Sequence, residues 1–252
     1  MYSEVYRNPD LFNLYLRAQE LTIPGKEVIV SEILSQVANA SDSPVIGLTP
    51  CDVGQYYMLF RERCPRARFL LIDKSPEAIS YITNTLGISN ASTYVMPLEN
   101  LSGVREQVDF TCCIFAVHLL VDPLRAFQEL HRILVPGGQL FVVTMSLEQE
   151  MVHPLGRFFG PAPDGSRFLD LEILSGLILQ AGFQLSLQGD INYYHKLRPE
   201  DVPIAFSRCA NSFLYMQSKE RLEAFHSFLI ASSVEGVITL QFQWSMLMAY
   251  KI

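Results

Sequence analysis

An α/β fold, with a doubly wound and mostly parallel sheet covered by helices on both faces, is predicted by three features of this 252-residue sequence. Short apolar runs alternate with helix-length segments between residues 45 and 145, the rhythm of linked strand–helix–strand units. The runs are nearly continuous in apolar residues, as parallel strands buried on both faces must be. The breaks between them carry turn and cap chemistry, as in Ser75-Pro76, Gly87 and Pro136-Gly137-Gly138.

Taken in order, residues 9 to 38 read as two helices, with Leu11, Leu14, Tyr15 and Ala18 on one stripe and Pro24-Gly25 as the break. Val45-Ile46-Gly47-Leu48 is a first strand and Gln55 to Arg63 a helix. Arg68 to Asp73 is a second strand. Pro76 to Leu86 is a helix with Ser75 as its N-cap and Gly87 past its end. Thr93 to Met96, Val108 to Val117 and Gln139 to Met145 are three more strands, and Pro123 to Leu134 is a helix. Residues 146 to 169, rich in proline and glycine, are long for a connection and are expected to cover a site. Leu171 to Ala181 is a helix and Phe183 to Leu187 opens another strand, with Tyr193-Tyr194-His195 just beyond it. Pro199 to Ser233 is helical with a break near Cys209, and Val237 to Tyr250 is one bent strand or a pair.

Composition narrows the function. The net charge is −7 and no basic run occurs, so no nucleic-acid partner is expected. Five cysteines without a C-x-x-C pair fit free thiols in a reducing compartment. Histidines at metal-ligand spacing are absent, so no metal is expected. No apolar stretch of membrane length and no signal-peptide pattern occurs, so the chain is expected to be cytoplasmic with no membrane partner. Apolar residues make up 49% of the chain, enough for a large core.

In sheets of this kind, ligands bind beyond the carboxyl ends of the strands. The loops after residues 48, 73, 96 and 117 should therefore surround one pocket. Asp73, closing the second strand, is a carboxylate able to accept from both hydroxyls of a ribose.

The order of elements resembles the class I S-adenosylmethionine (SAM)-dependent methyltransferases, in particular a small-molecule branch related to quinone-biosynthesis enzymes. The resemblance is carried by Ile72-Asp73-Lys74-Ser75-Pro76, by Ala116-Val117-His118-Leu119-Leu120-Val121-Asp122-Pro123, by Val135-Pro136-Gly137-Gly138-Gln139-Leu140 and by Ala181-Gly182-Phe183, spanning about residues 28 to 190. It implies a Rossmann-like, seven-stranded sheet with a helical cap or lid. The implied division is an N-terminal helical cap at 1–40, a methyltransferase-like core at 41–190, and a helical insertion with a final strand at 191–252. It implies SAM as cofactor, held by Thr49, Cys51, Asp52, Gly54, Asp73, Lys74, Pro97, Leu98, Glu99 and Ala116. The expected partners are a small-molecule substrate of secondary metabolism and a second copy of the chain as a homodimer.

Two stretches depart from that family pattern. Gly47 stands where an acidic residue is usual, and Thr49-Pro50-Cys51-Asp52-Val53-Gly54 keeps one glycine of a glycine-rich loop and is one residue longer. Pro97 stands where an acidic residue often meets adenine, with Glu99 as a substitute. Asp52 can replace the missing acid against the cofactor's positive end, or cap the helix that begins near Gly54.

Methyl transfer needs alignment above all, and a base only for a protonated nucleophile. His118 is the first candidate base, with a packing role as its alternative. Tyr194 and His195 are candidates to orient or deprotonate substrate, and Tyr15, His153, Arg208 and Asn211 to contact it. The aromatic residues of the covering segments line a hydrophobic pocket or form ordinary core. Three functions therefore stand open: a methyltransferase acting on a small hydrophobic molecule, an enzyme of the same fold that has given up methyl transfer for cyclase, lyase or isomerase chemistry, and a non-catalytic partner subunit.

Overall fold

The computed structural model describes residues 2–21, 23–37, 42–145, 154–159, 170–210, 214 and 217–252. Three helices open the chain: α1 (Tyr2–Arg7), α2 (Pro9–Leu21) and α3 (Ile23–Gln36). The alternating region then gives β1 (Val45–Leu48), α4 (Gln55–Arg63), β2 (Arg68–Asp73), α5 (Pro76–Thr85), β3 (Ala91–Val95), β4 (Val108–Ile114), a short 3-10 turn at Val117–Leu119, α6 (Pro123–Ile133) and β5 (Leu134–Thr144). It continues through α7 (Pro154–Phe159), α8 (Leu171–Gln180), β6 (Phe183–Leu197), α9 (Val202–Ala205), α10 (Lys219–Ala231) and β7 (Ile238–Lys251).

The caps follow local chemistry. Ser75 Oγ accepts from the Ala78 amide and Asp122 from the Arg125 amide, each with proline at the next position. Asp170 and Ser218 do the same for α8 and α10. At the amino end, Asn8 Oδ1 accepts from the Asp10 and Leu11 amides, so a turn at Asn8 divides α1 from α2. Pro24-Gly25, expected to break a helix, instead lies in the first turn of α3, where a missing amide donor costs nothing. Residues 9 to 38 hold the two expected helices, and α1 precedes them as a third.

The seven strands form one sheet in the order β3-β2-β1-β4-β5-β7-β6. Strands β1 to β5 are parallel, and β7 runs antiparallel between β5 and β6. Helices cover both faces. One core layer joins Ile29, Ile33, Tyr57, Phe60, Phe110 and Phe141, and the other joins Leu70, Val108, Phe127, Leu130, Val142 and Ile178. This is the expected Rossmann-like α/β arrangement, and β7 is a single strand.

Because β1 to β5 are parallel, their carboxyl ends share one edge. The hairpin of β6 and β7 is longer than the rest of the sheet. Ser245 is level with Thr144, the last residue of β5, and Asp190 is level with Ser245. Residues 191–197 and 238–244 therefore rise past that edge, on the side of the candidate site. Tyr193, Tyr194 and His195 lie inside β6 rather than beyond it. The described residues contain no helix long and apolar enough to cross a membrane, and no group of three or more histidines, cysteines or carboxylates placed to hold a metal.

Candidate functional site

The loop after β1 is filled by its own side chains. Thr49 is fully buried, and its hydroxyl donates to the Cys112 carbonyl of β4 and lies 3.3 Å from Thr111 Oγ1. It turns toward the neighbouring strand and away from the strand ends. Cys51 is buried against the core, and burial together with Asp73 and Asp52 pushes its thiol well above the usual range. Val53 packs with Val5, Tyr15 and Cys209. Gly54 takes φ +80 as the residue before α4, a left-handed conformation that explains the glycine. Upstream, a Cβ on Gly47 would stand 2.6 Å from Thr111 Oγ1 and 3.0 Å from its Cβ. The strand position that carries an acid elsewhere has no room for a side chain here while Thr111 stands beside it.

Asp73 closes β2 and is 9% exposed. Its Oδ1 accepts from the Ser75 amide at 2.9 Å and its Oδ2 from the Asp52 amide at 3.0 Å. Burial raises its pKa from 3.8 to about 6, and the nearby Asp52 adds to the shift, against the two amides and Lys74. The carboxylate therefore ties the end of β2 to the loop after β1. Each carboxylate oxygen has about two acceptor sites, so one donor apiece leaves capacity for more.

Asp52, at φ +49, is not the cap of α4. Its carboxylate accepts from Tyr6 at 2.8 Å and from Tyr15 at 2.8 and 2.7 Å. The amino-terminal helices are thereby bound to the loop through one carboxylate. Close by, the half-buried Lys26 donates to the Gln19 carbonyl, to Gln19 Oε1 and to Gln55 Oε1. Burial lowers its pKa to about 8 against the charge of Asp52. The Tyr56 hydroxyl is fully enclosed and has no hydrogen-bond partner; burial and Asp52 push its ionisation upward. Tyr15→Phe removes a donor to a charged acceptor, so a loss of about 1.5–3 kcal/mol is expected. Urea unfolding measures it, and an unchanged midpoint would show that the packing of the amino-terminal helices does not depend on this contact.

The other expected site residues divide. Lys74 and Pro97 are exposed at the strand ends. Leu98 and Ala116 are buried in the core layer on the α6 side. Glu99 accepts from the Val121 amide at 2.9 Å, so its carboxylate braces the loop after β4. His118 sits half-buried in the 3-10 turn after β4. Arg208 is exposed. His153 and Asn211 lie outside the described residues. Along β6, odd-numbered residues face inward, so Tyr194 is 59% exposed while His195 is 6% exposed. The inward neighbour of His195 is Tyr193, whose hydroxyl is 3.0 Å from His195 Nδ1. Lys26 and Tyr56 were not read from the sequence as site residues, and no local signal marks them; Tyr6 was read only among the aromatic residues of the covering segments, and Tyr193 only as part of the Tyr193-Tyr194-His195 cluster.

The family described as "Methyltransferase domain" matches residues 50–142. No curated protein matches the chain. Among solved structures, the chain is similar to a putative methyltransferase from Bacillus halodurans C-125 at 16% identity, covering 88% of this chain and 98% of that one with a TM-score of 0.61. It is similar to a putative methyltransferase from an antibiotic biosynthesis pathway of Anabaena variabilis at 18% identity, with 86% and 95% coverage and a TM-score of 0.68. It is also similar to the [4+2]-cyclase SpnF at 15% identity, with 89% and 81% coverage and a TM-score of 0.59. These likenesses concern the fold.

Proposed function

We propose that this chain, whose core is a class I SAM-dependent methyltransferase domain, binds SAM beyond β1 and β2 and acts on a small hydrophobic molecule. The observation that carries the reading is Asp73. A carboxylate this buried, kept at the end of the second parallel strand with only two amide donors, is costly unless a ligand supplies more hydrogen bonds. Ribose hydroxyls supply them. The unpartnered Tyr56 hydroxyl and the Lys26 ammonium stand near Asp52 as groups of the kind that an amino-acid moiety pairs with. Asp73 would hold the sugar, and Asp52, Tyr56 and Lys26 the methionine end. The bound cofactor would supply an electrophilic methyl group; this chain's residues supply position and exclude water. For Asp52 to meet the cofactor, Tyr6 and Tyr15 must share or release it.

Calorimetry with SAM and S-adenosylhomocysteine tests the reading. Micromolar binding of either is expected. The reading fails if neither binds at millimolar concentration.

A second reading is favoured by the loop itself. Thr49, Cys51 and Val53 are buried, and Asp52 already has two donors, an arrangement that is stable without a cofactor. The fold would then serve other small-molecule chemistry, and a structural neighbour is a cyclase. A non-nucleoside molecule that co-purifies, together with silence in the SAM titration, would select this reading.

A further inference from the structure

We propose that the rising end of the β6–β7 hairpin is an acceptor subsite for a flat aromatic or enolic hydroxyl compound, whose O–H donates to His195 Nε2. This rests on the small-molecule reading above and names the substrate class.

The hairpin carries a set of rings beyond the sheet edge. Tyr193 stacks near-parallel to Trp244, with ring centroids 5.9 Å apart and planes at 23°, and to Phe242 at 6.4 Å and 29°. Phe115, just past β4, meets the Trp244 edge at 5.5 Å, which joins this set to the loop that carries His118. Gly25 lets α3 close on one side, since a Cβ there would stand 3.0 Å from Trp244 and 3.1 Å from Tyr193. Tyr193 and Phe242 are half-buried, unlike Trp244, which is buried. Near-parallel rings favour a flat partner by offset stacking.

His195 gives the set its polarity. It is 6% exposed and borders Tyr193 and Phe242 at 5.7 and 6.1 Å. Its Nδ1 has the Tyr193 hydroxyl, but Nε2 is buried without any partner. A buried ring nitrogen left unpaired is costly, and such groups in a folded protein call for an explanation. A ligand hydroxyl provides one. Burial also lowers the His195 pKa, which keeps the ring neutral at physiological pH. When Nδ1–H donates to Tyr193, Nε2 bears the free lone pair and accepts. On reaction the ligand O–H bond breaks, its electron pair stays on oxygen, and the proton forms a new N–H bond at Nε2. His195 is then the catalytic base and Tyr193 a positioning residue that sets the tautomer.

The test uses the full chain without cofactor and two probes, 2-naphthol and its methyl ether, which differ by the donor hydrogen. Naphthol is expected to bind about tenfold more tightly, the worth of one hydrogen bond to a buried acceptor. His195→Gln and His195→Phe should each erase that preference. In isotope-labelled histidine, nitrogen NMR should show an unprotonated Nε2 that shifts with naphthol and not with the ether. Tyr193→Phe should mix the tautomers, a change that a packing role would not produce. Equal affinities for the two probes, no binding of either, a preference that survives both His195 variants, or a protonated Nε2 in the free protein would each overturn the proposal. Failure of SAM to bind leaves this titration unaffected, so the two readings fall separately.

Discussion

Asp73→Ala is expected to weaken SAM and S-adenosylhomocysteine binding by about a hundredfold or more. Two charge-assisted hydrogen bonds of roughly 1.5–3 kcal/mol each are at stake, and every 1.4 kcal/mol is a factor of ten. The alanine also removes the acceptor of the Asp52 and Ser75 amides, so part of the loss would come from a loosened loop. Asp73→Asn separates the two effects. It preserves volume and one acceptor oxygen, and it should lose roughly tenfold while still unfolding in one cooperative transition. Binding by Asp73→Ala as tight as that of the unmodified chain would remove the sugar-holding role from this residue.

The same residue shows what was legible in advance. Asp73, Ser75 and Pro76 form one local unit: a strand end, an N-cap and a first-turn proline, all within four positions. Local units of this kind are readable because their chemistry is contained in neighbouring residues. The parallel part of the sheet followed from the alternation of apolar runs and helices, whereas the strand order and the antiparallel place of β7 came only with the fold. The partners of Asp52 were not legible. Tyr6 and Tyr15 lie 46 and 37 residues away, and only the fold brings them together. A short carboxylate before a helix reads locally as a cap, and here tertiary contacts override that preference. Glu99 is similar, since its amide partner comes from a loop 22 residues on. Tyr194 and His195 show a different limit. Alternation separates them once β6 is known to reach Leu197, but Gly189 and Asp190 look like a strand end. They are held in the strand by pairing with β7, about 55 residues further along.

The buried state of Asp73 has a consequence for stability that requires no ligand. Its pKa is about 6 in the folded protein against an ordinary 3.8, so the folded state binds its proton more tightly than the unfolded state does. The favourable contribution is complete below about pH 3.8 and is lost as pH rises through 6. A displacement of about two units corresponds to about 3 kcal/mol. Other carboxylates pull the opposite way as they ionise, so the signal lies in a difference. The stability of the unmodified chain minus that of Asp73→Asn should fall by about 2.4 kcal/mol between pH 4 and pH 7, as measured by urea unfolding. A difference that stays constant across that interval would mean the carboxylate is not penalised by burial. The same free energy favours ligand binding above pH 6. Hydroxyl donors stabilise the ionised form, so saturating SAM should lower the Asp73 pKa and flatten the pH dependence. Binding near pH 5.5 should then release protons to the buffer, which calorimetry in buffers of different ionisation enthalpy detects.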